Sequence, residues 1–284
     1  MTIEDILKHV TKRAKNAFLA GSSTHFPFHT KDIDMIGRSN KQNPNMIKLK
    51  HDYDIIDDSI EEMRYRLGNK GINYCHSYYT VNKFKKNLAG NCQELSYHAF
   101  HELMKFHSLE IFHFYRKIDK HPIYIALCGP PEPYDHGFIV LYHPLNQMPY
   151  PIRELRKLQP DSWICDPWAD IVCKGSQYPE EWNKKMRIWD DNNHCVISRD
   201  SQGYVNSEKN IYKQFFSPLR EQINNAIPIL LKPDSIIQIY QVAFIDSTGN
   251  LLQITHENQA IDYNISEMNN MNYMELSDYY NEKK

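Results

Sequence analysis

The chain has 284 residues and a mass of 33.7 kDa, enough for one large domain or two modest ones that bury a core without disulfide staples. With 41% hydrophobic, 24% charged and 12% aromatic residues it has a globular composition, not a disordered or fibrous one. A formal net charge of -2 supplies no field to gather nucleic acid or an anionic membrane surface, which excludes a mainly electrostatic binder.

In chain order, Ile3, Ile6, Leu7, Val10, Ala14, Ala17 and Phe18 recur at helical spacing. Thr2 opens this run with Asp5 three residues on and Gly21 closes it, which predicts an amphipathic helix over 3–20. Its acidic start and modest apolar stripe suit packing on a core better than a membrane surface. Residues 22–50 are polar, carry Pro27, Gly37 and Pro44, and read as loop. A second helix is expected over 52–67, ending at Gly68. A third is expected over 93–107, where Leu95, Ala99, Leu103 and Phe106 share a face directly after NLAGN.

Strands are expected at 123–128, 136–142 and 163–166. The first two flank the Pro-stiffened GPPEPYD and read as an antiparallel pair; the third stops at Pro167, which cannot donate to a ladder. Apolar residues on both faces of 136–142 make it an interior strand. Further on, 236–245, DSTGN and 251–255 read as a hairpin that either completes the sheet or stands as an appendage. The Asn-, Met-, Tyr- and Glu-rich end from Asp262 reads as a loosely held tail. The expected fold class is α+β, with helices packed on a central antiparallel sheet. Residues 1–200 form one expected unit, and 201–284 form either a C-terminal extension or the completion of the same domain.

No apolar run approaches the roughly 20 residues that cross a bilayer, and the N-terminal segment lacks the pattern of a secretory leader. A cytoplasmic protein is expected, and its six scattered cysteines are read as thiols.

Chemistry concentrates in AGNCQELS. Cys92 falls at the start of the third helix, with Asn91 as N-cap and Glu94 at the third helical position. The positive end of a helix dipole and its unpaired amides favour thiolate over thiol. A thiolate nucleophile needs a base, and His136, at the mouth of an interior strand, is the candidate. An imidazole needs an acceptor that fixes its tautomer, and Asp166 ends the next strand. If those strands pair antiparallel, the start of one meets the end of the other and Asp166 reaches His136. Asp135, next to His136, faces the other way and is assigned to the surface, while Cys165 alternates with Asp166 and is read as a core thiol. Trp168 either covers the bond between Asp166 and His136 or is a plain core tryptophan. His98 and His101 stand three apart on a helix, but no CxxC, HExxH, GxxxxGK[ST] or GxGxxG occurs, so no metal and no cofactor is expected.

These residues, GNCQE at a helix start, then DHGFIVL, then ICDPWAD, resemble the papain-like and transglutaminase-like cysteine enzymes, in particular the branch of bacterial effector proteins delivered into host cells. The likeness covers about residues 85–175 and puts the family's nucleophile on Cys92, its base on His136 and its orienting acid on Asp166. It implies a papain-like or transglutaminase-like core, with an oxyanion donor a few residues before the nucleophile. Asn87 is preferred over the capping Asn91 for that donor. The aspartate as third member leans toward the transglutaminase-like and effector branch. The implied activity is cysteine-dependent acyl transfer on a host-cell protein, as a glutamine deamidase, a transglutaminase or a thiol protease. Secretion into a host cytosol by a specialised system without a cleaved leader goes with it. The alternative is a catalytically idle effector scaffold or protein-interaction module that keeps the fold and docks through residues 200–284.

Overall fold

The computed structural model describes residues 1–27, 44–67, 88–116, 122–143, 154–157, 162–197, 215–245, 250–254 and 260–263. Helix α1 (Ile3–Ala17) starts where the sequence predicts: Thr2 Oγ1 accepts the Asp5 N–H at 3.1 Å and Asp5 Oδ2 accepts the Thr2 N–H at 3.0 Å. Its stripe of Ile3, Ile6, Leu7, Val10, Ala14 and Ala17 is buried, each large aliphatic contributing about 1.5–3 kcal/mol. The polar stretch that reads as loop contains a short strand, β1 (His25–Pro27), and the next helix, α2 (Pro44–Leu67), begins earlier than expected. Proline suits its first turn because the missing N–H has no intrahelical acceptor there. Gly68 lies outside the described residues.

Helix α3 (Cys92–Glu102) passes through a π-helical turn at Leu103–His107 into α4 (Ser108–Arg116), well past the expected end at 107. Strands β2 (Ile123–Gly129), β3 (Phe138–Tyr142), β4 (Trp163–Asp166) and β5 (Ile171–Lys174) follow, then α5 (Tyr178–Asp191) and β6 (His194–Ile197). The last described elements are β7 (Phe215–Phe216), α6 (Glu221–Asn224), β8 (Gln238–Ile245), β9 (Leu251–Ile254) and β10 (Ala260–Tyr263).

The main sheet is antiparallel in the order β10-β9-β8-β2-β3-β4-β5, and β1, β6 and β7 form a second, small sheet. The predicted hairpin is β8–β9, and it completes the main sheet instead of standing apart; β10 takes up the first residues of the expected tail, Asp262 and Tyr263. One face of β2 and β3 (Ile123, Ile125, Leu127, Ile139, Leu141) packs on α1, α3 and α4. The other (Ala126, Cys128, Phe138, Val140, Tyr142) packs on Tyr178, Trp182, Met186 and Trp189 of α5. Helices cover both faces, so these strands are apolar throughout. The architecture is α+β, and among the described residues no helix is long and apolar enough to cross a membrane.

Candidate active site

Residues 88–91 are laced to the end of α1: Ala20 N–H donates to Leu88 O at 3.0 Å and Gly90 N–H to Gly21 O at 2.9 Å. Gly21 sits at φ 93°, a conformation that a residue with Cβ resists. Gly90 slips beneath Phe18, where a Cβ would come within 2.8 Å of the ring. Asn91 fixes the turn. Its carboxamide oxygen accepts from Ser22 Oγ at 2.8 Å and Ser23 N at 2.9 Å, and its amide nitrogen donates to Ser23 Oγ at 2.9 Å. That side chain is tied to the 22–24 loop and supports the Cys92 turn. Asn87, the preferred donor, lies outside the described residues.

Cys92 is therefore the first residue of α3, 9% exposed, with its own amide in the first turn where the helix offers no acceptor. The helix start rests on the approach to β3: Ser96 Oγ donates to Gly137 O at 2.8 Å, and a Cβ on Gly137 would meet the Cys92 carbonyl oxygen at 3.6 Å, an ordinary contact. His136 precedes β3, the strand itself beginning at Phe138. Its Nε2 lies 2.8 Å from Asp166 Oδ2, with the two side chains 3% and 0% exposed. The Cys92 side chain is close enough to the same imidazole to act on its charge. With Nε2 taken by Asp166, Nδ1 is the ring nitrogen left for the sulfur. The antiparallel pairing of β3 with β4, Ile139 opposite Cys165, brings the acid to the ring as the strand order predicts.

Asp166 is held on both oxygens. Oδ2 also accepts the Tyr178 hydroxyl at 2.8 Å, and Oδ1 accepts the Ala169 N–H at 3.0 Å across the β4–β5 turn. Burial opposes a charge on His136, but the Asp166 charge and hydrogen bond, followed by the Cys92 contact, outweigh it and raise the imidazole from its ordinary 6.5 to about 10. Trp168 lies 5.2 Å from the His136 ring and donates from Nε1 to Ser22 Oγ at 3.2 Å, while Trp182 of α5 lies 4.9 Å from the ring on its own account. Trp168 thus touches the His136 ring and also packs against two clusters of the core. Behind it His25 stacks on Trp189 at 3.7 Å with Nε2 2.7 Å from His194 Nδ1, and burial pulls His25 down to about 3. Asp135 is exposed, as assigned.

The other described cysteines are thiols in the core. Burial pushes Cys165, Cys173 and Cys195 each up to about 12, and Cys128 higher still. Cys165 is within 3.3 Å of Thr11 Oγ1 on the α1 side, away from Asp166. No group of His, Cys, Asp and Glu suited to a metal ion occurs among the described residues.

Sequence reasoning missed Tyr178, Trp182 and Tyr240. The first two belong to a stripe, Tyr178, Trp182, Met186 and Trp189, whose helical spacing is legible. Tyr240 is not legible in this way. On β8, Ile239 pairs with Cys128 and Gln241 with Leu127, so Tyr240 is the extra residue of a bulge. The bulge turns it to the α3 side of the sheet, where it packs on that core and senses Cys92 and Asp135. Gly129 makes room for it: a Cβ there would lie 2.6 Å from the Tyr240 hydroxyl and 2.4 Å from His136 O. No protein-family model, curated protein or solved structure matches the chain.

Proposed function

We propose that the chain is a cysteine-dependent acyl-transfer enzyme acting on protein substrates, with Cys92 as nucleophile, His136 as base and Asp166 as orienting acid. The observation that carries this reading is a single imidazole hydrogen-bonded to the Asp166 carboxylate at 2.8 Å, with a cysteine at a helix start close enough to act on its charge. A papain-like or transglutaminase-like core is part of the proposal, supported by the order of helix, strand and strand that delivers the three residues.

Cys92 gives its proton to His136 Nδ1, and the raised imidazole holds it. The sulfur attacks a carboxamide or peptide carbonyl carbon, forming the C–S bond and a negative oxygen. The proposed receiver of that oxygen is the Cys92 N–H, which has no acceptor within the helix, a kind of donor worth roughly 10²–10³ in rate. His136 passes its proton to the leaving nitrogen, the C–N bond breaks, and ammonia or an amine departs from a thioester. Water then yields a carboxylate and a restored thiol, while a lysine amine yields an isopeptide bond. A bacterial effector working on a host-cell protein is the biological setting proposed.

Intact-mass analysis of host-cell proteins after incubation with the protein or its Cys92→Ala variant tests the reading. A Cys92-dependent gain of about 1 Da marks deamidation, a loss of about 17 Da per linkage marks cross-linking, and new fragments mark cleavage. Identical spectra for the two proteins would reject the enzyme in favour of an interaction module.

A further inference from the structure

Helix α3 carries a charge that works against the chemistry proposed for its first residue. Glu94 is two residues past Cys92, its side chain is 4% exposed, and its Oε2 accepts the Asn91 N–H at 2.9 Å. As a cap it is favourable, because a carboxylate suits a helix N-terminus. Near a negative sulfur at a buried helix start it is unfavourable, because like charges there penalise each other far more than in water.

The structure supplies a countercharge from another element. Arg64, on α2, reaches across to pair with both oxygens of Glu94, Nε to Oε1 at 2.7 Å and Nη2 to Oε2 at 3.1 Å. Buried Ile60 and Met63 on the same helix anchor it, and Met63 packs with Leu95 of α3, so the guanidinium is delivered by a docked element. Burial opposes the Arg64 charge, and the Glu94 hydrogen bond and charge, followed by Cys92 and Asp135, outweigh it. The other ionisable groups that sense Cys92 are His136 ahead of β3, Tyr178 on α5 and Tyr240 on β8. Among the described residues, Arg64 and protonated His136 are the cations of this group, Glu94 and Asp135 are carboxylates that act on Arg64, and Asp166 lies behind the imidazole.

We propose that Arg64 is a charge-compensating positioning residue: by neutralising Glu94 it lets a tightly capped helix start carry a negative sulfur at Cys92. The inference rests on Cys92 being the nucleophile. It assigns a task to an ion pair that otherwise looks like a tie between two helices.

The test is the pH profile of Cys92 alkylation by iodoacetamide, followed by peptide mass mapping of the full chain, with circular dichroism melts alongside. Arg64→Gln, which leaves the carboxylate uncompensated, is expected to move the onset of reaction upward by about one pH unit. Arg64→Lys retains most of the wild-type profile. Arg64→Gln combined with Glu94→Gln returns the onset toward wild type, because the opposing charge has gone. A purely structural tie predicts otherwise: a lower melting temperature for Arg64→Gln with an unmoved onset, or a double variant as shifted as the single one. Either result overturns the inference. Should Arg64→Gln not fold, Glu94→Gln alone decides, since the released guanidinium must lower the onset, and an unchanged or raised onset counts against it. If wild-type Cys92 reacts only above about pH 8, like a free thiol, the nucleophile reading fails first and this inference falls with it.

Discussion

Asp166 and Cys165 are chain neighbours with opposite fates, and strand alternation separates them. The carboxylate turns to the α5 side, where a histidine, a tyrosine and a backbone amide share its two oxygens; the thiol turns to α1 and is pushed up to about 12. Replacing Asp166 by Asn keeps the shape but offers the ring an amide instead of a charge. The imidazole loses both its tautomer lock and most of its reason to stay protonated. The expected outcome is a fall of roughly 10²- to 10⁴-fold in the rate of Cys92 alkylation by iodoacetamide at pH 7. The core cysteines 128, 165, 173 and 195 stay unlabelled in both proteins, as peptide mass mapping would read. Retention of the wild-type rate in the Asn variant would remove Asp166 from the proposed machinery.

At the scale of elements, the site depends on two places where backbone replaces side chain. The β8 bulge puts Tyr240 and Gln241 on the same side of the sheet, and Gly129 on β2 leaves the hollow into which the phenol and the His136 carbonyl both fit. Gly129→Ala must push at least one of them aside, and the carbonyl belongs to the residue that carries the proposed base. A destabilisation of about 1–3 kcal/mol with a loss of Cys92 reactivity is expected. Denaturant unfolding together with alkylation rates would check it; an unperturbed variant would mean that the bulge yields freely.

Legibility in the sequence divided along the same line. The Thr2 and Asp5 cap, the three strands around residues 123–166 and the Cys92, His136 and Asp166 set were readable because each has a local signature: a cap pair, an apolar run, or a reactive residue at an element's end. Strands β5 and β6 are as short as β4 but lack the proline that marks its end, and β1 was missed because its partner lies in β6, far along the chain. Helix α5 had a usable aromatic stripe that went unread. Arg64 with Glu94, and Tyr240 with Gly129, had no local signature, because each meeting is decided by how two distant elements dock.

For the whole molecule, histidines set opposite limits in pH. His25 is lowered to about 3, His98 to about 4 and His101 well below its ordinary value, each chiefly by burial. Below 6.5 the unfolded chain takes up protons that these folded residues refuse, so stability falls as pH drops from 6.5 toward 3. His136 has the other sign. Its raised value means the folded state holds a proton that the unfolded chain has released, so its contribution is complete below 6.5 and is lost as pH rises through about 10. Thermal melts across pH 4–10.5 are therefore expected to peak near 6.5, a rough figure set by the unperturbed histidine. In His136→Gln the decline between pH 6.5 and about 9 is expected to flatten, while the acid limb remains and the buried thiols keep a decline above about 9. An unchanged alkaline limb would show that the imidazole does not hold its proton.

The placement of β8 between β9 and β2 also has a consequence in time. Strand β8 is made long after β2, yet it lies beside that strand, the one that leads to His136. Until residues 238–245 leave the ribosome, β2 has an open edge. A chain cut ahead of β8 would therefore lack both the neighbour of β2 and the phenol that fits against Gly129.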